Sequence, residues 1–485
     1  MSKTYIIYKD IAPGADEDAA VSTNGAQPFS TLNIPFGTPH DPISTCELNA
    51  WGLNGTFDMV DGRQVAFWST SQSGADCLFA APPVITIDFD SQYSSTGISF
   101  EFDENDWCDL LNIQWWQQGT LKASMDFEPT SFSYFCQNKV LSYDRLVITL
   151  KRTRLPHHFA KLDRIYFGVY RRFDMPELRQ GRVAITNEID PLALEVPIST
   201  MDWRLNSTDD AAEYLFQFKQ PVEVFNGGQL IGTYYIDEGA QVAGSLYDIG
   251  CVDAFGVLDE SPFAGGIYTN KSAVALLTEI VDGDFELNIT AADTALTGAI
   301  VACSRRAAIQ QVLFAWGACA ATDGSGSIRV FSPAMSGPAD LGRNRTFPGV
   351  QVATAAAVTA VKVTAHSYAQ ATNGDVEIGG VKYQDTRTVY TYNNPDATAS
   401  DRANVKEIAD ATLVSPGIAQ AVARRVFEHY NRRNTAKPKI VWKGEMLGQL
   451  VTVPNGWGGD LTGHLVKMEL KLSNTVVATS EVRGL

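Results

Sequence analysis

The sequence predicts a mainly β protein with a few helices, and three observations carry this prediction. Short runs that alternate apolar and polar residues fill residues 1–175, as in an antiparallel β-sandwich. Helical periodicity appears only after about residue 270, and a hairpin pattern found before the helices returns close to the end of the chain. With 485 residues, of which 45% are hydrophobic and 19% charged, the chain has the composition of a globular protein with about two to four domains.

The strands of the N-terminal region follow from alternation with a period of two. The run PPVITIDFD places Ile85, Ile87 and Phe89 on one face of a strand, and TGISFEF, DRLVITLKR and LDRIYFGVY repeat the pattern. LNIQWWQQGTLKASM is typical of a hairpin that turns at QQG. Because neighbouring residues of a strand face opposite sides, Trp115 and Trp116 are expected to be divided between the core and the surface.

A polar break and a second hairpin follow. DMPELRQGR, from Asp174 to Arg182, is predicted to end the N-terminal domain. In PVEVFNGGQLIGTYYID, Val222 and Val224 lie on one arm of a hairpin, and Asn226-Gly227 is expected to supply the turn.

The stretch GGIYTNKS, residues 265–272, resembles a phosphate-binding loop at first sight. The motif G-x-x-x-x-G-K-[ST] requires a second glycine where this chain has Asn270, so an NTP site is not expected. Thr269, Asn270 and Ser272 are residue types that cap helix N-termini, and NKSAVALLTEIV has helical periodicity. The stretch is therefore interpreted as the start of a helix.

Two more helices are predicted after this one. SRRAAIQQVLFAWGA is expected to end at Gly317, and GSGSIRVFSPA is expected to form an edge strand after it. MSGPADLGRNRTFPG, residues 335–349, has the composition of a linker. The third helix is predicted over residues 416–433, with Ser415 as its N-cap and Pro416 in its first position.

One pattern occurs twice in the chain. VEVFNGGQLIG (222–232) and VTVPNGWGGDLTG (451–463) both contain V-x-V-x-N-G followed by G-x-L-x-G. A duplicated β-domain would leave such a pattern, and so would chance, since valine and glycine are common in hairpins.

The formal net charge of −17 argues against a general affinity for nucleic acid or anionic membranes. The basic run KRTRLPHHFAK, residues 151–161, goes against this trend and is interpreted as a solvated loop between strands rather than as a site for polyanions. No secretory signal is visible at the N-terminus, and no apolar stretch is long enough to predict a membrane span.

Four of the seven cysteines fall within the N-terminal module and would allow two disulfides: Cys46, Cys77, Cys108 and Cys136. An odd total without a signal peptide favours reduced, mostly buried thiols, and the disulfide state of these four stays open. No C-x-x-C spacing occurs, so a zinc ribbon is not expected.

The sequence contains no H-E-x-x-H, no G-x-S-x-G and no full Rossmann fingerprint, and its six histidines have no metal-ligand spacing. His429 is expected to be a partly exposed packing residue of the third helix. The acidic run FDENDWCD lacks the glycine of an EF-hand loop, so it is interpreted as a solvated loop, with a looser cation site at the sandwich rim as the alternative. The carboxylates of this run are Asp103, Glu104, Asp106 and Asp109. No catalytic, cofactor-binding or metal-binding residue is predicted.

Tryptophan is concentrated in the N-terminal module. Core packing explains most of these rings, but an exposed ring can stack on the apolar face of a pyranose. The candidates for glycan contact are Trp51, Trp68, Trp107 and Trp116.

The rest of the chain carries a more specific pattern. Its segments are EIDPLALEVPISTMDWRLNS, FQFKQPVEVFNGGQLIGTYYIDE, LYDIGCVDAFGVLDESPFAGGIYTNKSAVALLTEIV, CSRRAAIQQVLFAWGA and the C-terminal stretch that begins with GQLVTVPNGWGGDLTG. From about Ile185 onward these segments resemble the tail hub (baseplate hub) proteins of tailed bacteriophages and related injection machines. The block D-x-x-G-x-L-D followed by F-x-G-G-I-Y is the most specific part.

This resemblance implies a homotrimeric ring at the distal end of a tail tube. Each chain would contribute two related β-barrel domains, so that three chains present a quasi-sixfold surface to a sixfold tube. The implied parts are a first tube-like β-domain at 176–260, an α/β middle domain with a linker at 261–349, and a second tube-like β-domain at 350–485.

A second resemblance concerns residues 1–175. PPVITIDFDSQYSSTGISFEFD and LDRIYFG are similar to strands of discoidin-like, galactose-binding-type sandwiches, which implies a carbohydrate-binding module for host-surface polysaccharide. The two resemblances together imply a non-enzymatic virion protein, made in the host cytoplasm. Its partners would be its own copies, the tail tube, distal tail proteins, and tail-fibre or tip proteins. A polysaccharide-degrading enzyme with a binding module, or a free lectin-like protein, are the alternatives.

Overall fold

The computed structural model describes residues 4–28, 30, 47, 66–103, 106–178, 183–206, 219–333, 337–398, 400–454, 459–473 and 475–484. The chain divides into two compact units. We call Ile7–Arg172 the N-terminal unit, and Phe173–Leu485 together with Met1–Ile6 the C-terminal unit. Strands dominate both units, so the predicted mainly β class is confirmed.

The N-terminal unit holds one short helix, α1 (Ala15–Asp18), among its described residues. Its strands, of which the first and the last cross its boundaries, are β1 (Thr4–Ile11), β2 (Ala20–Asn24), β3 (Phe67–Gln72), β4 (Val84–Phe102), β5 (Cys108–Gln117), β6 (Thr120–Phe127), β7 (Ser133–Thr153), β8 (Phe159–Tyr166) and β9 (Gly168–Phe173).

One sheet organises this unit, in the order β3-β8-β4-β7-β5-β6 with β2 also paired to β4. The long strands β4 and β7 pair antiparallel, with register shifts between Asp88 and Tyr93 and again on either side of Ser95. Register shifts of this kind bend a strand and increase its twist. Ile85 and Ile98, from either side of the shifts, belong to the same buried cluster. Among the described residues, β2–β8 thus form one continuous sheet around one core, and β1 and β9 pair with each other outside it.

The hairpin predicted around the double tryptophan is present. β5 and β6 pair antiparallel up to Gln117 and Thr120, and the turn residues Gln118 and Gly119 both have positive φ, as the tight hairpin turn requires. Trp115 is fully buried and Trp116 half-buried on the opposite face, which confirms the expected division.

The C-terminal unit holds four helices among its described residues: α2 (Ala254–Asp259), α3 (Ala273–Val281), α4 (Arg305–Trp316) and α5 (Ala419–Asn431). The strands before α4 are β10 (Val183–Glu188), β11 (Thr200–Asn206), β12 (Pro221–Asn226), β13 (Gln229–Ala243), β14 (Leu246–Val252), β15 (Pro262–Phe263), β16 (Gly266–Ser272), β17 (Leu287–Ile289), β18 (Ala295–Ile300) and β19 (Cys303–Ser304). Those after α4 are β20 (Cys319–Thr322), β21 (Ile328–Phe331), β22 (Ala339–Asp340), β23 (Gln351–Thr354), β24 (Ala360–Gln370), β25 (Val376–Ile378), β26 (Val381–Asn393), β27 (Val405–Ile408), β28 (Asn434–Lys437), β29 (Lys439–Val441), β30 (Leu450–Val453), β31 (Leu461–Leu472) and β32 (Val477–Gly484).

The main sheet of this unit contains the same strand arrangement twice. In the first copy, β11 pairs β14, β14 pairs β13 and β13 pairs β12. In the second copy, β28 and β29 pair β32, β32 pairs β31 and β31 pairs β30. Every one of these pairs is antiparallel, and each copy has the spatial order first, fourth, third, second strand when β28 and β29, which both pair with β32, are counted as one interrupted strand. The two V-x-V-x-N-G patterns begin the equivalent strands β12 and β30.

Strand β10 joins the two copies. It pairs antiparallel with β11 on one side and with β31 on the other. One sheet thereby runs through strands from both ends of residues 176–485. The division of this region into three domains, with bounds at residues 260 and 349, stays a prediction.

The helices pack into one core with strands of the smaller sheets, among them β18, β21 and β24. Residues of α3, α4 and α5 belong to a single buried cluster that includes Leu277, Leu313 and Val426. Helix α4 ends at Gly317, whose φ of 84° is left-handed, as the sequence predicted. No helix among the described residues has the length and apolarity that crossing a membrane requires.

Both other helix starts differ from the predictions. Thr269 and Asn270 lie in β16, which pairs with β18, and only Ser272 caps α3, accepting a hydrogen bond from Ala275 N at 3.1 Å. Helix α5 begins at Ala419 rather than at residue 416, because residues 416–418 form a preceding turn in which the carbonyl of Ser415, not its side chain, accepts backbone hydrogen bonds.

Three further details differ from the predictions. The first hairpin turns at Gly227-Gly228, because Asn226 is still paired with Gln229. Strand β21 was expected at an edge but lies between β17 and β20. The segment interpreted as a linker contains β22, which pairs with β30.

Candidate functional sites

The acidic and basic runs of the N-terminal unit pair with each other instead of forming two solvated loops. Arg152 Nε lies 2.7 Å from Asp109 Oδ1, and both side chains are partly exposed. Deeper inside, Asp106 meets His158 and Lys161, which are 5% and 2% exposed. The interpretation of both runs as solvated loops is therefore wrong, because charged side chains of the acidic run form ion pairs with charged side chains of the basic run inside the unit.

A buried network joins these residues to Glu47. The ammonium of Lys161 lies 2.8 Å from Glu47 Oε2 and 3.8 Å from Asp106 Oδ2. His158 Nδ1 lies 2.5 Å from Asp106 Oδ2, and Glu47 Oε1 accepts a hydrogen bond from Phe159 N at 2.7 Å. Among the described residues, the carboxylates of Glu47 and Asp106 thus face one ammonium and one imidazole.

The same geometry sets out what the network could hold. Glu47, Asp106 and His158 each offer one ligand atom, and these atoms lie within 4.8 Å of one another. Carboxylate and imidazole are ligands that zinc and other divalent cations accept. Lys161 already supplies the positive charge that such a cation would bring, so the arrangement is a closed ion network with the donor set of a metal site.

Sequence reasoning identified only one member of this network, Asp106, through the alternative of a cation site. Of the other acids proposed with it, Asp109 pairs with Arg152, Asp103 accepts a hydrogen bond from Asp106 N, and Glu104 lies outside the described residues. Glu47 and Lys161 carry no local signal. The sequence did contain one signal for the network. Two runs about 45 residues apart carry dense charges of opposite sign, whereas the residues around them alternate as strands do.

The proposed glycan-contacting tryptophans occupy different environments. Trp51 lies outside the described residues. Trp68 is 1% exposed, and its ring packs under the Lys161 ammonium, with 4.9 Å between the nitrogen and the ring centroid. A ring enclosed in this way has no face for a sugar, so the expectation for Trp68 is corrected: it is a core residue beside the ion network.

Trp107 and Trp116 are half-buried and stay candidates. The guanidinium carbon of Arg154 lies 4.3 Å from the Trp107 ring centroid, and Trp107 Nε1 donates to Pro129 O at 3.2 Å. Trp116 Nε1 donates to Gln114 Oε1 at 3.2 Å. Both indole nitrogens are therefore satisfied within the unit, and a sugar would meet ring faces rather than N–H groups.

The described cysteines are free thiols. Cys77, Cys108 and Cys136 form no disulfide, and the fourth cysteine of the module, Cys46, lies outside the described residues. Burial raises the pKa of the Cys108 and Cys136 thiols well above the usual value, which keeps them protonated and unreactive. The expectation of reduced, mostly buried thiols is confirmed for the described residues.

Comparison with known proteins gives weak likenesses. No family model and no curated protein matches the chain. Among solved structures, it is similar to a tail protein of prophage MuSo2 from Shewanella oneidensis, with 11% identity over 64% of this chain and 95% of that one and a TM-score of 0.45. A tail protein from Neisseria meningitidis has 12% identity over 65% and 93% of the chains and a TM-score of 0.49. A prophage tail protein from Listeria monocytogenes has 13% identity over 64% and 91%, with a TM-score of 0.42.

All three of these structures are named as tail proteins. At TM-scores below 0.5, such likenesses establish neither the fold nor the function of this chain.

Proposed function

We propose that this protein is a non-enzymatic structural subunit at the distal end of a bacteriophage tail, where three copies close into a hub ring. The ring would join the tail tube to distal tail proteins and to tail-fibre or tip proteins. The observation that carries this proposal is the repeated four-strand arrangement of β11–β14 and β28–β32 within one chain.

A duplicated unit has a direct consequence for assembly. Three chains with two equivalent strand units each would present six similar surfaces, which is the number needed to meet a sixfold tube. The strand β10 holds the two units of one chain in a single sheet through antiparallel pairing on both sides. A ring built by rotation of one chain is a closed cyclic assembly, the arrangement that soluble homo-oligomers favour.

The solution mass of the purified protein tests this proposal. We expect light scattering on a sizing column to give three times the chain mass of 52.8 kDa, and negative-stain images of the same peak to show a ring with a central hole. A monomer at every concentration, also in the presence of the tail tube protein, would contradict the proposal.

We further propose that the N-terminal unit contacts host-surface polysaccharide through Trp107 and Trp116. Both are half-buried, and aromatic rings with one open face provide stacking surfaces for pyranoses. Binding to a panel of bacterial surface polysaccharides should fall at least about tenfold in Trp116→Ala. The matched control is Leu141→Ala, which also removes an exposed apolar side chain, here 58% exposed, and should bind normally. Equal losses in both variants would argue against stacking.

A further inference from the structure

The C-terminal unit contains a cavity of about 160 Å³ that is rich in basic side chains. Helix α5 contributes Arg425 and His429, and Arg432 follows at the helix end. These three residues are spaced four and three apart, so they lie along one helix face. The second wall comes from His464 and Arg483, which are directly opposite each other in the β31–β32 pair.

The histidines show how deeply this site is buried. His429 and His464 are 8% and 3% exposed. The expectation that His429 is a partly exposed packing residue is therefore wrong: it faces the cavity. Burial, followed by the charges of Arg483, Arg432 and His464, lowers the pKa of His429 from 6.5 to about 3. The surroundings of this ring thus strongly disfavour any additional positive charge.

The guanidinium groups are incompletely paired. Nε of Arg425 and Nε of Arg483 are buried and have no hydrogen-bond acceptor in the described part of the chain. One terminal nitrogen of Arg425 donates to Phe314 O, and burial lowers the pKa of Arg425 to about 10. Burial also lowers the pKa of Arg483. A buried N–H of a charged group without an acceptor is costly, so these donors favour an anionic partner.

The nearby carboxylates are already engaged. Glu428 lines the cavity, but its Oε1 accepts from Arg424 Nε at 2.8 Å on the exposed side of the helix. Asp190, whose charge acts on Arg483, accepts backbone hydrogen bonds from Leu192 and Leu194 at 2.9 and 2.8 Å. Among the described residues, these carboxylates therefore leave Nε of Arg425 and Nε of Arg483 without an acceptor.

We propose that this cavity binds a small free oxyanion of the phosphate type. Planar guanidinium groups donate to such oxyanions in pairs, and the two Nε atoms without acceptors supply donors from opposite walls. A cavity of this volume admits inorganic phosphate with a few waters. The site goes beyond the proposed structural role, since it needs neither the ring nor the tail, and a monomeric chain would keep it.

Calorimetric titration of the full chain at pH 7 tests the proposal, with inorganic phosphate as the probe and sodium chloride of equal ionic strength as the reference. Phosphate should bind saturably with one site per chain. Arg425→Met and Arg483→Met should each weaken the binding by about ten- to a hundredfold, the value of a charge-assisted hydrogen bond. The control is Arg402→Met, which changes an exposed arginine of the same unit outside the cavity and should bind like the wild type.

Three results would overturn the proposal: no heat beyond that of chloride, an equal loss in Arg402→Met, or stronger binding of acetate than of phosphate, which would assign the cavity to a carboxylate. If the two arginine variants do not fold, wild-type crystals soaked in selenate decide the question. An anomalous selenium peak between Arg425 and Arg483 supports the site, and its absence there rejects it.

Discussion

The two buried clusters of basic side chains differ in what balances their charge. In the N-terminal unit, the Lys161 ammonium lies 2.8 Å from Glu47 Oε2, and Asp106 contacts His158. In the C-terminal unit, Arg425 and Arg483 keep buried Nε donors without acceptors. The buried cations of the first cluster are paired with carboxylates of their own unit, whereas the second cluster keeps guanidinium donors that an added anion would satisfy.

Among the predicted changes in stability, the loss of Lys161 should be the largest. Lys161→Met leaves Glu47 and Asp106 buried without their ammonium, and breaking a buried ion pair costs about 3–5 kcal/mol. Urea unfolding followed by tryptophan fluorescence measures the change in the free energy of unfolding. Lys151→Met is the control, because the Lys151–Asp126 pair is partly exposed and should contribute no more than about 1 kcal/mol. Similar losses in the two variants would mean that the buried network does not stabilise the unit.

The network also marks the limit of what the sequence could predict. Alternation placed Ile85, Ile87 and Phe89 on one face, which is buried, because burial on one face of a strand leaves a local pattern. The contact of Glu47 with Lys161 leaves no such pattern, since the two residues are far apart in the sequence. Sequence reasoning therefore found the strands of the N-terminal unit and took its buried ions for surface loops.

In the C-terminal unit the limit is similar. The periodicity of α5 and the V-x-V-x-N-G repeat of β12 and β30 were both visible in the sequence. Local periodicity cannot tell which residue of β31 or β32 faces which residue of α5, so the meeting of His429, His464 and Arg483 was not predictable.

His429 gives the second largest effect, as a dependence of stability on pH. Its pKa is lowered to about 3 in the folded protein, so between pH 6.5 and 3 the unfolded chain binds the additional proton. The full free energy of unfolding is therefore present above pH 6.5. As the pH falls toward 3, it decreases by up to about 1.4 kcal/mol per pH unit, because only the unfolded chain takes up the proton.

Urea unfolding of the wild type and of His429→Gln at several pH values between 7 and 4 separates this contribution from general acid effects. The curve of the variant should be flatter, and saturating phosphate should flatten that of the wild type, because a bound anion offsets the charges of Arg432, Arg483 and His464. His157→Asn, which changes an exposed histidine, is the control. Parallel curves for wild type and His429→Gln would show that His429 is not held neutral.

A third prediction concerns a variant in which the ion network of the N-terminal unit should become able to bind a metal ion. Lys161→Ser removes the ammonium but keeps the ligand atoms of Glu47, Asp106 and His158 within 4.8 Å of one another. Zinc should then stabilise the variant, by about 2.7 kcal/mol at a hundred times its Kd, and should leave the wild type unchanged. Thermal unfolding with and without zinc measures the shift. The double variant Lys161→Ser with Asp106→Asn should lose most of the response, and a zinc response in the wild type of the same size would show that Lys161 does not fill the site.

The smallest predicted change in stability is that of Arg424→Met. Arg424 is the neighbour of Arg425, which lines the cavity. Its Nε donates to Glu428 Oε1 at 2.8 Å, but both side chains are largely exposed, at 67% and 49%. Exposed pairs of this kind gain little, because water and salt screen the attraction and two long side chains lose their freedom. Arg424→Met should therefore leave the urea midpoint unchanged at low and at high salt. A clear rise in that midpoint would mean that Arg424 holds Glu428 away from Arg425, since released Glu428 could then pair with the cavity arginines and supply from within the chain the negative charge that the cavity otherwise takes from an anion.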